Sequence, residues 1–235
     1  MPTITHVIFD YDGILQNTEQ AYYDAYDAAL KKHGRSFNNV LKHSIMGRKR
    51  HEAFDHILSE VGLTGKITHE EFGRDHDVVL DAIVAQTPLL PGAEKLTDHL
   101  IKHGIHVAIC TGSNNEEFAF KTVNFKDFVA KFPVKVLSGS DPEVKRGKPA
   151  PDPYLVTMKR FAVPPKSAAN VLVFEDSING ARSGIAAGCA TIFIPQKEFI
   201  THDWAERTAD VQQQASEVLT SLEEFDPVKY GIPGY

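Results

Sequence analysis

Four short polar clusters carry side chains suited to one kind of chemistry. Asp10 and Asp12 follow the apolar run HVIF, Thr111, Gly112 and Ser113 follow HVAIC, Lys148 stands in KRGKPAPDPY, and Glu175 and Asp176 follow NVLVF. Alternate residues of an extended chain face the same way, so Asp10 and Asp12 are expected to point toward one site while Tyr11 turns aside. Glu175 and Asp176 add negative charge from a neighbouring strand end, and a hard cation such as Mg²⁺ makes such an oxygen-rich cluster tolerable at neutral pH. Magnesium typically takes one or two carboxylates plus substrate phosphate, so a small phosphorylated metabolite is the expected partner. A phosphoryl group bound there needs further positive charge and donors at its equatorial oxygens. Lys148 offers the charge, and the Thr111 hydroxyl with the amides of Gly112 and Ser113, at the start of a helix, offers the donors. One carboxylate is then free to attack phosphorus, and the other can serve as acid and then base. That division of labour fits Asp10 and Asp12.

Each cluster alone has a plainer reading. D-x-D-G is also a turn after a strand. A calcium loop is excluded, because counting from Asp10 the fifth residue is Ile14 and the twelfth is Ala21, where acidic ligands are needed. Lys145 and Arg146, beside Lys148, read as a solvated face. Cys110 reads as a packed small hydrophobe rather than a nucleophile. His51, Glu52 and His56 are one residue too long for the zincin helix spacing, and His99 and His103 suit a helix C-terminus. The conjunction of the four clusters at strand ends or adjoining loops is what selects an active site.

Five apolar runs of strand length, HVIFD, HVAIC, VKVLS, NVLVF and ATIFI, alternate with helical periodicities that end at Gly104 and Gly188 or start at a proline. This alternation predicts an α/β fold with a parallel sheet, and in such sheets ligands bind beyond the carboxyl ends of the strands. About ninety residues separate the first run from the second, far more than one crossover needs. They read as three helices. Asn17 is expected to cap the first with Gln20 as partner, Phe54 to Val61 form the second, and Thr68 with Glu71 opens the third. Residues 1–17 and 85–235 are thus expected to form the sheet domain, and 18–84 an inserted helical one.

With 31 acidic and 25 basic residues the net charge is -6, which excludes a global positive field for nucleic acid polymers or an anionic membrane. Two cysteines fit a reducing compartment, no apolar run reaches the roughly 18 residues of a membrane span, and no targeting segment is visible. A cytoplasmic protein is expected.

FDYDG, CTGS, KRGKPAPDP and VFEDSINGA, in this order, resemble the four signature motifs of haloacid dehalogenase (HAD) superfamily phosphatases, and the helical insert resembles their C1 cap. PGAEKLTDHLIKHGI, GSDPEVKRGKPAPDPY and the tail FDPVKYGIPGY are similar to the pseudouridine-5'-phosphatase branch, across almost the whole chain. The resemblance implies a Rossmann-like core with an all-α cap. It implies Asp10 as nucleophile, Asp12 as general acid/base, and Thr111 and Lys148 as phosphate binders. For Mg²⁺ it implies Asp10, the main-chain carbonyl of Asp12 and Asp176 as ligands, with Glu175 a closer or outer partner. It further implies pseudouridine 5'-phosphate, or more broadly a small sugar or nucleotide phosphate, as substrate, and a monomer. Asn17 and Gln16 depart from the pattern near the hinge, and Tyr11 is bulkier than most relatives carry, which is expected to alter the site entrance.

Arg48, Lys49, Arg50 and His51 open a helix in the insert, where cations oppose the macrodipole. Such a local conflict points to function, and the resemblance implies that this loop faces the active site and reads the substrate's leaving group, so at least one of them, Arg50 or Lys49 before the others, is expected to contact substrate. Two other outcomes share these residues: a phosphomutase of the β-phosphoglucomutase type, and a phospholigand-binding pseudoenzyme.

Overall fold

Runs of Val, Ile and Phe too short for helices become strands, because β-branched and aromatic side chains fit a pleated surface buried on both faces. The computed structural model describes residues 3–45, 50–197 and 200–235. Strands β1 (His6–Phe9), β2 (His106–Thr111), β3 (Val134–Leu137), β4 (Val171–Glu175), β5 (Ala190–Phe193) and β6 (Glu217–Val218) form one sheet in the order β3-β2-β1-β4-β5-β6. Every pair is parallel, as the α/β alternation predicts. Two-residue β6 was not foreseen; so short a strand carries no periodicity.

Register places the chemistry. Phe9 of β1 pairs with Ile109 on one side and Phe174 on the other, so Asp10, Thr111 and Glu175 come to the same edge of the sheet. The chain crosses from β1 to β2 in one direction and reaches β4 in the other, which makes this edge a topological switch point.

Alternation along the strands divides the core. Val7 and Phe9 face a layer containing Leu96 and Leu100 of α5 (Ala93–Lys102), whereas Ile8, Ala108 and Val173 face Tyr154 and Met158 of α8 (Asp152–Arg160). Cys110 and Cys189 lie buried and unbridged in the second layer. Burial pushes the Cys110 thiol up to about 12, the environment of a packed side chain and not of a nucleophile. Tyr11 packs wholly inside the first layer, edge-on to Phe118, so it does not shape the site entrance.

Between β1 and β2 lie four helices: α1 (Thr18–Lys31), α2 (Asn39–Ile45), α3 (Arg50–Glu60) and α4 (His69–Ile83). Seven-residue α2 is additional to the three expected. They bury their own apolar cluster, including Leu30, Leu41, Phe54, Ile57 and Phe72. Thr68 and Glu71 form the expected reciprocal capping box at α4. Asn17 does not cap α1 with its side chain. Its amide instead donates to the Pro88 carbonyl, because residues 15–17 and 88–90 run side by side: Leu90 N donates to Leu15 O at 2.9 Å and Gln16 bridges Leu89. The fully buried Gln16 side chain fastens this crossing, donating to Thr87 O at 2.9 Å. Among the described residues no helix is long and apolar enough to cross a membrane.

Phe72 is fully buried and meets Phe54 edge-on at 5.0 Å. Phe72→Ala should therefore lower stability by about 3–5 kcal/mol in urea unfolding; a change below about 1 kcal/mol would show that the helices do not depend on this cluster.

Candidate active site

Asp10, Glu175 and Asp176 converge at the switch point. One carboxylate oxygen from each lies within 4.8 Å of the others, and all three are buried. Lys148 Nζ donates to Glu175 Oε1 at 2.6 Å and to the Cys110 carbonyl at 3.1 Å, and stands 3.1 Å from Asp10 Oδ1. Glu175 is fixed from behind, accepting from the Tyr154 hydroxyl at 2.6 Å and the Ser177 hydroxyl at 3.1 Å. The same Ser177 oxygen caps α9 (Ile178–Ala186), accepting from Gly180 N. Two glycines accommodate the acids. A Cβ on Gly13, where φ is +73°, would sit 2.0 Å from Asp176 Oδ2, and one on Gly180 would sit 1.9 Å from Glu175 Oε1.

Asp12 is neighbour to this trio but its side chain takes a separate set of partners. It accepts from Thr18 Oγ1 at 2.6 Å, Thr111 Oγ1 at 3.0 Å and Ser113 Oγ at 3.2 Å, and Lys121 Nζ donates to both its oxygens and to Ser113 Oγ. Lys121 closes α6 (Asn115–Lys121) and is 1% exposed. The Ser113 amide is occupied by Thr111 Oγ1 at 3.2 Å. Of the residues expected to bind phosphate, Lys148 is therefore lodged between Asp10 and Glu175, while Thr111 and Ser113 gather around Asp12. Ser138 and Gly139 support their loop through bonds to the Thr111 and Ser113 carbonyls.

The two aspartates occupy opposite electrostatic environments. Burial raises Asp10 to about 8; Lys148 works against this, while Glu175 and Asp12 add to it. Burial would also raise Asp12, but the Lys121 charge and hydrogen bond, with those from Thr18 and Thr111, outweigh it and hold Asp12 below the usual carboxylate range. Burial drives Asp176 up, reinforced by Glu19, Asp10 and Glu175. Burial alone would lower Lys148, yet the Asp10 and Glu175 charges raise it beyond its ordinary value.

Among the described residues, Asp10, Glu175 and Asp176 carry three potential negative charges against the adjoining ammonium of Lys148. Asp10 Oδ1 is buried and met only by the Lys148 ammonium, 3.1 Å away. Buried oxygen donors from three side chains with excess negative charge together fit a hard divalent cation. The Asp12 side chain is turned to Lys121 and is not part of the trio. Glu175 is largely engaged by Lys148, Tyr154 and Ser177. A cleft of about 320 Å³ beside the trio is lined by residues including Gly13, Asn17, Gln20, Leu90 and Gln196, and by none of the three carboxylates.

Of the basic stretch in the insert, Arg48 and Lys49 lie outside the described residues. Arg50 is bound to Asp77 at 2.6 Å and lies over the Phe54 ring at 4.8 Å, and His51 is exposed, 3.9 Å from Glu52. Sequence reasoning missed Lys121, Tyr154 and Thr18. The one available signal was a lysine, Lys121, ending a helix that starts at the second motif, and it reads equally well as dipole compensation.

The family signature for haloacid dehalogenase-like hydrolase matches residues 4–188. The chain belongs to this family. Haloacid dehalogenase-like relatives include (DL)-glycerol-3-phosphatase 2 of Arabidopsis thaliana, 34% identical over 99% of this chain and 93% of the relative. Another is a Drosophila melanogaster protein named "Probable pseudouridine-5'-phosphatase", 32% identical over 99% of this chain and 96% of the relative. A haloacid dehalogenase family hydrolase from Deinococcus radiodurans, solved with bound phosphate and sodium, shares the fold with a TM-score of 0.78 at 20% identity, covering 99% of this chain and 98% of its own.

Two measurements probe this arrangement. In chelated protein Asp10 keeps its proton to about pH 8, whereas the unfolded chain loses it near pH 4, so the folded state holds the extra proton between these values. Stability should fall as pH rises through that window, by up to about 1.4 kcal/mol per pH unit for each such group. Mg²⁺ should then raise the unfolding midpoint more at pH 8 than at pH 6 in parallel melts with EDTA and MgCl₂; an equal effect at both contradicts the cluster's assignment. Lys121→Met leaves Asp12 without its cation and should cost about 3–5 kcal/mol, most of it recovered in the Asp12→Asn, Lys121→Met double variant. A urea double-mutant cycle with no coupling would refute the pairing.

Proposed function

We propose that this protein is a Mg²⁺-dependent phosphomonoester hydrolase that works through an aspartyl phosphate on a small sugar or nucleotide phosphate. The observation that carries the reading is the pair Asp10 and Asp12, two residues apart, of which Asp10 stands among buried acids that oppose its charge while Lys121, Thr18 and Thr111 stabilise that of Asp12. Binding alone requires no such nucleophile beside an acid/base, which disfavours a pseudoenzyme. Asp10 attacks phosphorus as the bond to the leaving oxygen breaks, and Asp12 protonates that oxygen. Asp12 then takes a proton from the water that releases phosphate and restores Asp10. A substrate phosphate that draws Thr111 and Lys121 toward its own oxygens loosens the contacts that depress Asp12, which suits Asp12 to its acid half. When bound, Mg²⁺ would neutralise charge between the phosphoryl oxygens and the carboxylates, held by Asp10, the Asp12 carbonyl and Asp176 with Glu175 behind. Residues 18–84 act as the cap that excludes water, over a catalytic core of 1–17 and 85–235.

Pseudouridine 5'-phosphate remains the substrate favoured by motif resemblance, and glycerol 3-phosphate stands beside it because relatives named for each are similarly identical to this chain. A panel of both with sugar phosphates and other nucleoside phosphates, assayed with and without Mg²⁺, should give free phosphate only with the metal. Asp10→Asn should lower turnover at least about a thousandfold while the fold is kept. Retained Mg²⁺-dependent activity in that variant would overturn the mechanism, and an isomerised sugar phosphate in place of free phosphate would establish a mutase.

A further inference from the structure

Gln16 is wholly buried where the chain segments that enter and leave the insert cross, and its amide nitrogen faces four oxygens. It donates to Thr87 O at 2.9 Å and to Thr87 Oγ1 at 3.0 Å, and lies 3.3 Å from both Val84 O and Lys121 O. Four acceptors around the nitrogen fix which way the amide points, and Oε1 is left buried without a partner among the described residues. A leucine would carry no such unsatisfied carbonyl, so the contacts of the nitrogen are what the amide is there to make.

The contact with Lys121 reaches beyond the crossing. Lys121 is the last residue of α6, so its carbonyl has no donor from a following helical turn, and the Gln16 amide takes that place. Three residues on, Asn124 Nδ2 donates to Ala85 O at 2.8 Å. Residues 84–87, by which the chain leaves the insert, are therefore fastened to the end of α6 at two independent points. From this end of α6 the Lys121 ammonium meets both oxygens of Asp12 and Ser113 Oγ. A helix of seven residues has little rigidity of its own, so its last turn stands where its neighbours hold it. The main chain of Gln16 meets Asp12 from the other side, bridging it in a parallel pairing while Gly13 N donates to Gln16 O at 3.0 Å.

We propose that Gln16 and Asn124 are positioning residues for the acid/base: they fasten the returning segment of the insert to the end of α6, so that the seating of the insert sets where Lys121 holds Asp12. The inference rests on the phosphatase reading above and adds a route by which the insert acts on the chemistry without touching substrate. An acid misplaced by about 1 Å loses on the order of a hundredfold in rate, so a slack clamp is felt at Asp12.

The test separates a substrate that needs the acid from one that does not, in the Mg²⁺-loaded enzyme. Glycerol 3-phosphate, or whichever alkyl phosphate of the panel is cleaved fastest, loses an alkoxide that Asp12 must protonate, whereas acetyl phosphate loses acetate without a proton. The two are compared in kcat/KM, which covers the steps up to departure of the leaving group. Gln16→Met keeps the volume and removes the donor, and should lower kcat/KM at least about tenfold for the alkyl phosphate and less than about twofold for acetyl phosphate. Asn124→Ala, at an exposed position, should shift the ratio of the two in the same direction by at least about threefold, and serves should Gln16→Met fail to fold. A merely structural clamp would lower the melting temperature and both substrates alike. An unchanged ratio in the folded variants, or an alkyl phosphate cleaved where acetyl phosphate is not, overturns this inference while leaving the phosphatase reading intact. Release of phosphate by wild type from neither kind of substrate would overturn both.

Discussion

Three carboxylates buried at the end of a parallel sheet are the constraint around which this molecule is arranged. Like charges brought together out of water raise one another's proton affinity, and the one positive charge of Lys148 does not neutralise all three. Tyr154 and Ser177 complete the hydrogen bonding of Glu175, and Gly13 and Gly180 make room for the acids. The remaining excess of negative charge is what suits the site to a divalent cation and a phosphoryl group. β1 lies between β2 and β4, so Asp10 arrives on one strand end and Glu175 with Asp176 on that of its neighbour, while Lys148 reaches them from the loop between β3 and α8.

The second arrangement, around Asp12, divides labour with the first. Asp10 lies where burial keeps its charge costly, and Asp12 lies where Lys121, Thr18 and Thr111 stabilise its charge. A divalent cation beside Asp10, and a phosphoryl group drawing Lys121 and Thr111 away from Asp12, would reverse that order into the one that a nucleophile and an acid require. Thr18 is also the first residue of α1, so the insert reaches Asp12 directly, and Gln16 ties the same crossing to the segment by which the chain returns. The helices and Asp12 are linked through a few bonds near the chain's entry into the insert.

Much of this was legible because the chemistry sits where periodicity stops. Apolar runs ending in Asp10, Thr111 and Glu175 announce both strands and site, and Lys148 is marked by the proline that follows it. What escaped has physical reasons. Lys121 lies at the end of a helix, where a basic residue is ordinary, and only packing shows that it is buried against Asp12. Tyr154 read as one apolar position of α8, although its hydroxyl reaches Glu175. Helix α2 is seven residues long, too short for periodicity to stand out. Asn17 had the type of a capping residue, but pairing between residues 15–17 and 88–90 fixed its backbone differently. Tyr11 was placed at an entrance by its bulk, when alternation along β1 carried it into the core.

Gly13 and Gly180 have a consequence for how such a site is inherited. At each, the space of a missing Cβ is filled by a carboxylate, that of Asp176 and that of Glu175. Neither glycine touches a reacting atom, yet a single methyl group there displaces an acid as surely as replacing the acid itself. At Gly180 the order of permissible mutations is therefore fixed, the acid going before the glycine and not after, whereas the φ of +73° at Gly13 opposes a side chain even once Asp176 is gone. These two positions record in the genetic text the shape of side chains that lie far from them in sequence or one turn away. A descendant whose Gly180 had been replaced would therefore be one whose Glu175 had already gone.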